Sequence, residues 1–214
     1  MKKLFISILL CVSFHVSAQS SEPFSTWNFE TTVSSVDVNI LNGSITLIGN
    51  TVSETTVEMF ILDYSPQNSE HKWSYEEIKQ EFEKTYTIDV KIEDEKLLVT
   101  VKPKTDRCQL SISFKIITPK SINSNLRTLN GSISISNLSG SQHFITTNGS
   151  LNIDHVSGEI NGGTTNSSIN VKKSRGKITL QTTNGNITAE NLKGVIALST
   201  TNGKVREHNV KRKK

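Results

Sequence analysis

The sequence predicts an all-β chain folded as a single-stranded parallel β-solenoid with 18-residue rungs and one short inserted helix. Three observations predict it. Asparagines recur at Asn130, Asn148, Asn166, Asn184 and Asn202, a constant period of 18. Each follows a threonine two residues earlier, Thr128, Thr146, Thr164, Thr182 and Thr200, and all but one precede glycine. Between these turns apolar and polar residues alternate, the period of a half-buried strand.

With each asparagine as position zero, position 3 is Ile133, Leu151, Ile169, Ile187 and Val205, and position 5 is Ile135, Ile153, Val171 and Ala189. Glycine returns at position 10 (Gly140, Gly158, Gly176, Gly194), and the apolar places return at positions 12 and 14. One rung is therefore turn, strand, turn, strand. A single rung cannot bury its apolar face, but stacked rungs can. Strands one period apart then lie parallel and in register, about 4.8 Å apart. Stacking places the asparagines in one ladder at a corner and the threonines in a second, pointing inward. Amides and hydroxyls in such columns satisfy polar groups near the core, so both ladders are expected to be structural. The Asn-Gly pairs are expected to supply positive φ. Phe144 and Gly162 share position 14 in adjacent rungs, so the ring is expected to lean over the glycine.

In chain order, residues 1–18 read as a secretory signal peptide. Lys2-Lys3 precede an apolar run from Leu4 to Phe14, and Val16-Ser17-Ala18 supplies small residues before a cleavage site after Ala18. The run is short for a membrane span. Cys11 follows Leu10, which argues against a lipid anchor, and cleavage leaves Cys108 as one unpaired thiol on a strand. The solenoid domain is expected over 19–205, with irregular rungs at 33–120. Leu41-Asn42-Gly43-Ser44-Ile45 matches the repeat, but Asn42 lies 88 residues before Asn130, so an insertion interrupts the stack. The insertion carries a helix within 74–86, placed at Tyr75–Thr85. Ser74 and Glu77 form a capping-box pattern, and Trp73 with Ile78 fits a hydrophobic staple. The strands at Ile88–Ile92, Leu97–Val101 and Leu110–Ile116 are read as earlier, wider rungs. Regular rungs fill 128–205, and a basic tail, expected to be disordered, fills 206–214.

The chain has 24 basic and 20 acidic residues, a net charge of +4. Six of the cations crowd into the last eleven residues, leaving the body slightly acidic. That distribution lacks the footprint of a nucleic-acid binder.

The segment Leu110–Asn130, a strand ending near Thr118-Pro119, followed by recurring T-T-N-G-x-I rungs, resembles the exported bacterial β-strand-repeat family labelled "putative adhesin", a domain of unknown function. The similarity covers about Val33 to Val205. It implies a right-handed β-helix in the bacterial envelope, and it brings no catalytic residues. The inserted helix and the early stop in a basic tail depart from it.

Catalytic chemistry on a β-helix needs clustered carboxylates. Between Asn130 and Gly203 the acids are Asp154, Glu159 and Glu190. Asp154 and Glu190 share position 6 two rungs apart, about 9.6 Å, with Lys172 between them. That spacing suits an inverting pair; an alternating column that relieves like-charge stacking is the plainer reading. His71, His143, His155 and His208 have no metal-ligand spacing, and the half-repeats lack the aspartates of a calcium roll. No cofactor is implied. Outward threonines, Thr147, Thr165, Thr183 and Thr201, fill one column only, too few for an ice-binding plane. Lys172, Lys173, Arg175 and Lys177 form a basic corner suited to phosphate or acidic polysaccharide. The first face, with Ser132, Ser134, Ser150, Asn152, Ser168, Asn170, Asn186 and Thr188, is small and polar.

These readings point to an exported, non-catalytic solenoid in the periplasm, at the cell surface or secreted. Its expected partner is a glycan or an envelope protein, with no nucleic acid and no transmembrane segment in the mature chain. A polysaccharide-active enzyme and an envelope-stress accessory acting through a membrane partner are the alternatives.

Overall fold

The computed structural model describes residues 22–51, 53–63, 74–105 and 110–213. The leader, His71, the Trp73 half of the staple and Cys108 lie outside the described residues. In chain order the elements are β1 (Ser25–Phe29), β2 (Ser35–Asn39), β3 (Ile45–Asn50), β4 (Thr55–Asp63), α1 (Tyr75–Thr85), β5 (Tyr86–Glu93), β6 (Lys96–Pro103), β7 (Leu110–Pro119), β8 (Asn123–Thr128), β9 (Ile133–Ser136), β10 (Ser139–Thr146), β11 (Leu151–Asp154), β12 (Ser157–Thr164), β13 (Ile169–Lys172), β14 (Arg175–Thr182), β15 (Ile187–Thr200) and β16 (Val205–Arg212).

From β8 onward a long strand alternates with a short one, and each pairs in parallel with its equivalent 18 residues away. The short-strand face runs β9, β11, β13 and the first half of β15. The long-strand face runs β8, β10, β12, β14 and the second half of β15. Register is strict: Phe144 faces Gly162, which faces Leu180, which faces Leu198. A slip of one residue would turn every core side chain to solvent, so the alternating pattern fixes the register. The inward columns are closed to water, with Ile133, Leu151, Ile169 and Ile187 at 1% exposure or less. Each such side chain contributes roughly 1.5–3 kcal/mol on burial.

The bend between short and long strand repeats at position 7, where Asn137, His155, Lys173, Asn191 and Asn209 all have φ between 50° and 57°. Asparagine tolerates this left-handed conformation best, and lysine does so at a cost. Gly140, Gly158, Gly176 and Gly194 follow at position 10 with φ of 113–141°, a conformation open to glycine alone without strain. The Asn-Gly glycines of the regular rungs do not have positive φ, against the expectation from sequence. Glycine serves there through close approach: a Cβ on Gly149 would fall on the carbonyl of Gly131, and one on Gly131 would fall on that of Gly43. Ser167 shows that one rung accommodates a side chain at this place.

The first half of the chain does not form earlier rungs in sequence order. The rung β2–β3 lies between two others: β2 pairs in parallel with both β6 and β8, and β3 with both β7 and β9. Asn42 therefore sits directly against Asn130, although 88 residues separate them. The insertion lays β6 and β7 on the far side of β2–β3 and then returns to start β8. Its remaining strands are antiparallel. β5 folds back on β6 through Asp94 and Glu95, both at positive φ, the geometry of a tight hairpin turn. β4 pairs antiparallel with β7 and with β1. Short alternating strands carry the same local pattern whether they pair parallel or antiparallel, so the sequence pattern did not separate the two.

Helix α1 begins at Ser74, whose hydroxyl accepts from the Glu77 amide while Glu77 accepts from the Ser74 amide at 2.7 Å. It brings Tyr75 and Phe82 against Phe24, with ring centroids 5.2 and 5.6 Å apart, and Phe82 stacks on Tyr86 at 6.1 Å. The Tyr86 hydroxyl is buried and bonds the Leu110 carbonyl. Aromatic burial joins the helix to the start of the core.

The other end corrects a third expectation. The basic tail is not disordered through its length: β16 runs to Arg212 and pairs with both halves of β15, Val205 against Ile187 and Val210 against Leu192. Val210, at position 8 with Leu138, Val156 and Leu192, is the apolar anchor the sequence reading overlooked. Glu207 takes inward position 5 and Arg212 takes position 10. The Arg212 guanidinium donates to both Glu207 carboxylate oxygens, at 2.6 and 2.8 Å, and its Nε donates to the Ile196 carbonyl at 3.4 Å. Charges at inward places of an edge strand oppose addition of another strand.

Candidate functional surfaces

The predicted ladders are continuous. Each Asn Nδ2 donates to the Oδ1 one rung before it: Asn130 to Asn42, Asn148 to Asn130, Asn166 to Asn148, Asn184 to Asn166 and Asn202 to Asn184, at 2.7–2.8 Å. Asn209 repeats this with Asn191 at 2.6 Å along the position 7 bend. The threonine hydroxyls do not bond one another. Thr146, Thr164, Thr182 and Thr200 donate at 2.8 Å to the carbonyls of Gly131, Gly149, Ser167 and Gly185, and Thr128 donates to Gly43 at 3.0 Å. Each hydroxyl thus ties a long strand's end to the turn that follows the previous rung's asparagine. These side chains are committed to the fold and have little to offer a ligand.

Inside the core, Gln142 occupies an apolar column at 0% exposure. Its Oε1 accepts from the Ser124 hydroxyl at 2.6 Å and its Nε2 donates to the Ile122 carbonyl at 2.7 Å. Buried amides persist where both ends are satisfied.

The short-strand face carries a shallow open groove of about 440 Å³. One small polar side chain lines it per rung, Ser134, Asn152, Asn170 and Thr188, and the position 6 column runs beside them. Asn170 Nδ2 donates to Asn152 Oδ1 at 3.2 Å, and the Ser132 and Ser150 hydroxyls meet at 3.0 Å. In the position 6 column Asp154 faces Lys172, and Lys172 faces Glu190. Lys172 Nζ lies 3.6 Å from Asp154 Oδ2. His155 Nδ1 is 2.7 Å from Asp154 Oδ1, at ion-pair distance but outside hydrogen-bond alignment. Lys172 thus stands between the two acids in the column.

The long-strand face has its own groove of about 480 Å³, lined by His143, Asn161, Gln181 and Ser199 and by Thr165, Thr183 and Thr201 at its rim. It dips where Gly163 presents no side chain between Ile145 and Gln181.

The structure divides the predicted basic corner. Lys172 turns to Asp154 on the short-strand face. Lys177 Nζ donates to Glu159 Oε1 at 2.8 Å, and this bond raises the lysine pKa above its ordinary value. Lys173 sits in the bend, and Arg175 begins the long strand. Arg175 has new neighbours that reading along the chain did not collect: Lys193 and Lys211 stand in its column, one per rung. Among the described residues no group of three or more His, Cys, Asp or Glu could hold a metal ion. No described helix is long and apolar enough to cross a membrane.

No family model matches the chain, and no curated protein matches it. A crystal structure from Clostridium sporogenes, described as a "putative cell adhesion protein", aligns over 90% of this chain and 100% of its own. The identity is 10% and the TM-score 0.31, a likeness too slight to carry an argument. The fold stands on its own register and ladders: the described residues form a nearly all-β solenoid of stacked parallel 18-residue coils with one short helix.

Proposed function

We propose that this chain is a non-catalytic binding or scaffold protein of the bacterial envelope, adhesin-like in action, and that it binds through the short-strand face. The observation that carries this is the groove lined once per rung by Ser134, Asn152, Asn170 and Thr188. A rigid row of short hydroxyl and amide groups supplies donors and acceptors at the rung spacing, about 4.8 Å. That suits an extended chain of sugars making one set of hydrogen bonds per rung. The column beside it is largely self-neutralised through Asp154 and Lys172, which favours uncharged glycans. Export follows the reading of residues 1–18 as a signal peptide.

Binding of the purified protein to an array of neutral and acidic glycans tests the proposal. Binding without release of new reducing ends, and its loss in N152A/N170A, supports it. Turnover that disappears in Asp154→Asn or Glu190→Gln would replace it with a polysaccharide-cleaving enzyme.

A further inference from the structure

We propose that a second binding strip lies on the opposite, long-strand face and takes a linear acidic polysaccharide running along the solenoid axis. Its centre is the column Arg175, Lys193 and Lys211, three cations stacked in register on β14, β15 and β16. All three side chains are exposed. The position 6 and position 11 columns, by contrast, each hold a lysine together with a counterion. Lys172 has Asp154 and Lys177 has Glu159. No described carboxylate lies within ion-pair distance of Arg175, Lys193 or Lys211. Like charges directly opposite one another on adjacent strands are destabilising. Here the cost is met three rungs running, in a fold whose position 6 column alternates sign. A bound row of anions offsets it.

The strip's shape selects the anion. The cations recur at the rung spacing, about 4.8 Å, close to the length of one pyranose unit, so successive uronate or sulfate groups can each meet one cation. Beside them, in the position 11 column, Val195 is 56% exposed and faces Lys177, and the Lys213 amide bonds the neighbouring Gly194 carbonyl on its other side. An exposed aliphatic side chain among cations suits the C–H face of a sugar ring. Farther along the same strands the Gln181–Ser199 groove offers amide and hydroxyl groups to sugar hydroxyls. Single-stranded nucleic acid is disfavoured, because its sequence-tolerant binding uses aromatic stacking platforms and the exposed large hydrophobics of this strip include no aromatic. An anionic membrane needs a broader basic patch with deeper apolar anchors than one valine.

Fluorescence anisotropy with labelled hexamers of galacturonic acid and of a sulfated heparin-type glycan tests this. The controls are the carboxyl-reduced neutral hexamer, oligo-dT and phosphatidylglycerol vesicles. The protein should bind at least one acidic hexamer, more weakly as salt rises, and ignore the neutral one. R175Q/K193Q/K211Q should weaken that binding at least tenfold and flatten its salt dependence, while its melting midpoint stays level or rises as repulsion is removed. K172Q, on the short-strand face, should change affinity less than threefold. N152A/N170A, on the other face, should leave it unchanged, so this strip and the short-strand groove succeed or fail separately. The proposal is overturned by any of four results: no binding to either acidic hexamer, equal binding by the triple variant, tighter binding of oligo-dT, or capture by vesicles without hexamer binding.

Discussion

Replacing Gly162 with alanine tests the packing of the core at its most uneven point. Phe144 is fully buried and stands in register with Gly162. A Cβ built on Gly162 would fall inside the Phe144 ring edge. The ring cannot swing into water, so the new methyl forces the ring or the strand to shift. Overpacking of this kind costs about 1–3 kcal/mol. Gly162 does not have positive φ, so alanine also gains about 0.4–1 kcal/mol through a less flexible unfolded chain. The net loss should be about 0.5–2 kcal/mol by these two terms. Leu180 and Leu198 continue the same column, so a leucine fits it. Phe144→Leu alone should lose about 1–2 kcal/mol, between Ile→Val and Phe→Ala. F144L/G162A nearly conserves volume and should be more stable than the two single effects predict, with a coupling of about 1 kcal/mol. Urea unfolding followed by far-ultraviolet circular dichroism reads each value, since 1 kcal/mol moves the midpoint by about 0.3–1 M. G162A as stable as the parent, together with strictly additive behaviour in the double variant, would refute the packing argument.

Other outcomes follow from the same geometry. Asn166→Ala breaks two ladder bonds, to Asn148 and from Asn184, whereas Asn202→Ala breaks one, to Asn184. At about 0.5–1.5 kcal/mol per bond the first should lower the unfolding midpoint about twice as far as the second. Thr182→Val leaves the Ser167 carbonyl without its 2.8 Å donor and should cost about 1–3 kcal/mol, while Thr182→Ser should retain most of the stability in the same assay. The Arg212 guanidinium holds the Glu207 carboxyl below its ordinary 4.5. A lowered folded-state value means that the stabilisation is present above the unfolded value and is lost as pH falls through the folded one. Hydrogen exchange in Val205–Arg212 should therefore speed up, relative to β14, as the solution is acidified through and below pH 4.5. Glu207→Gln should be fast already at neutral pH and lose most of that dependence. Deleting 209–214 removes paired strand, not a loose tail. It should expose the Leu192 side of β15 and raise self-association in light scattering.

The surfaces divide in the same way as the fold. Ser134, Asn152, Asn170 and Thr188 were legible as one outward face because a period of 18 and alternation by two together fix which way each side chain points. The Arg175–Lys193–Lys211 column was not, although the same arithmetic contains it. Lys211 falls in the stretch read as tail, and only the pairing of β16 with β15 brings it into line. The basic corner drew attention as a run along the chain, yet Lys172 and Lys177 spend their charge on Asp154 and Glu159 of the neighbouring rung.

The sequence by itself determined the rung. Periodicity, the asparagine and threonine ladders, the position 10 glycines and the capped helix at Tyr75–Thr85 are set by interactions local to one repeat and its copy 18 residues away. Tertiary structure alone decided how the first half joins the second. That β2–β3 lies between β6–β7 and β8–β9, that Asn42 heads a ladder whose next member is 88 residues on, and that β1, β4 and β5 run antiparallel are choices of partner. Alternating strands of similar length offer nearly equal local energies to several partners. The choice is made by which arrangement buries Phe114, Ile45 and Leu97 together and covers the exposed edges of the first rung, a sum over distant contacts that no stretch of the chain carries.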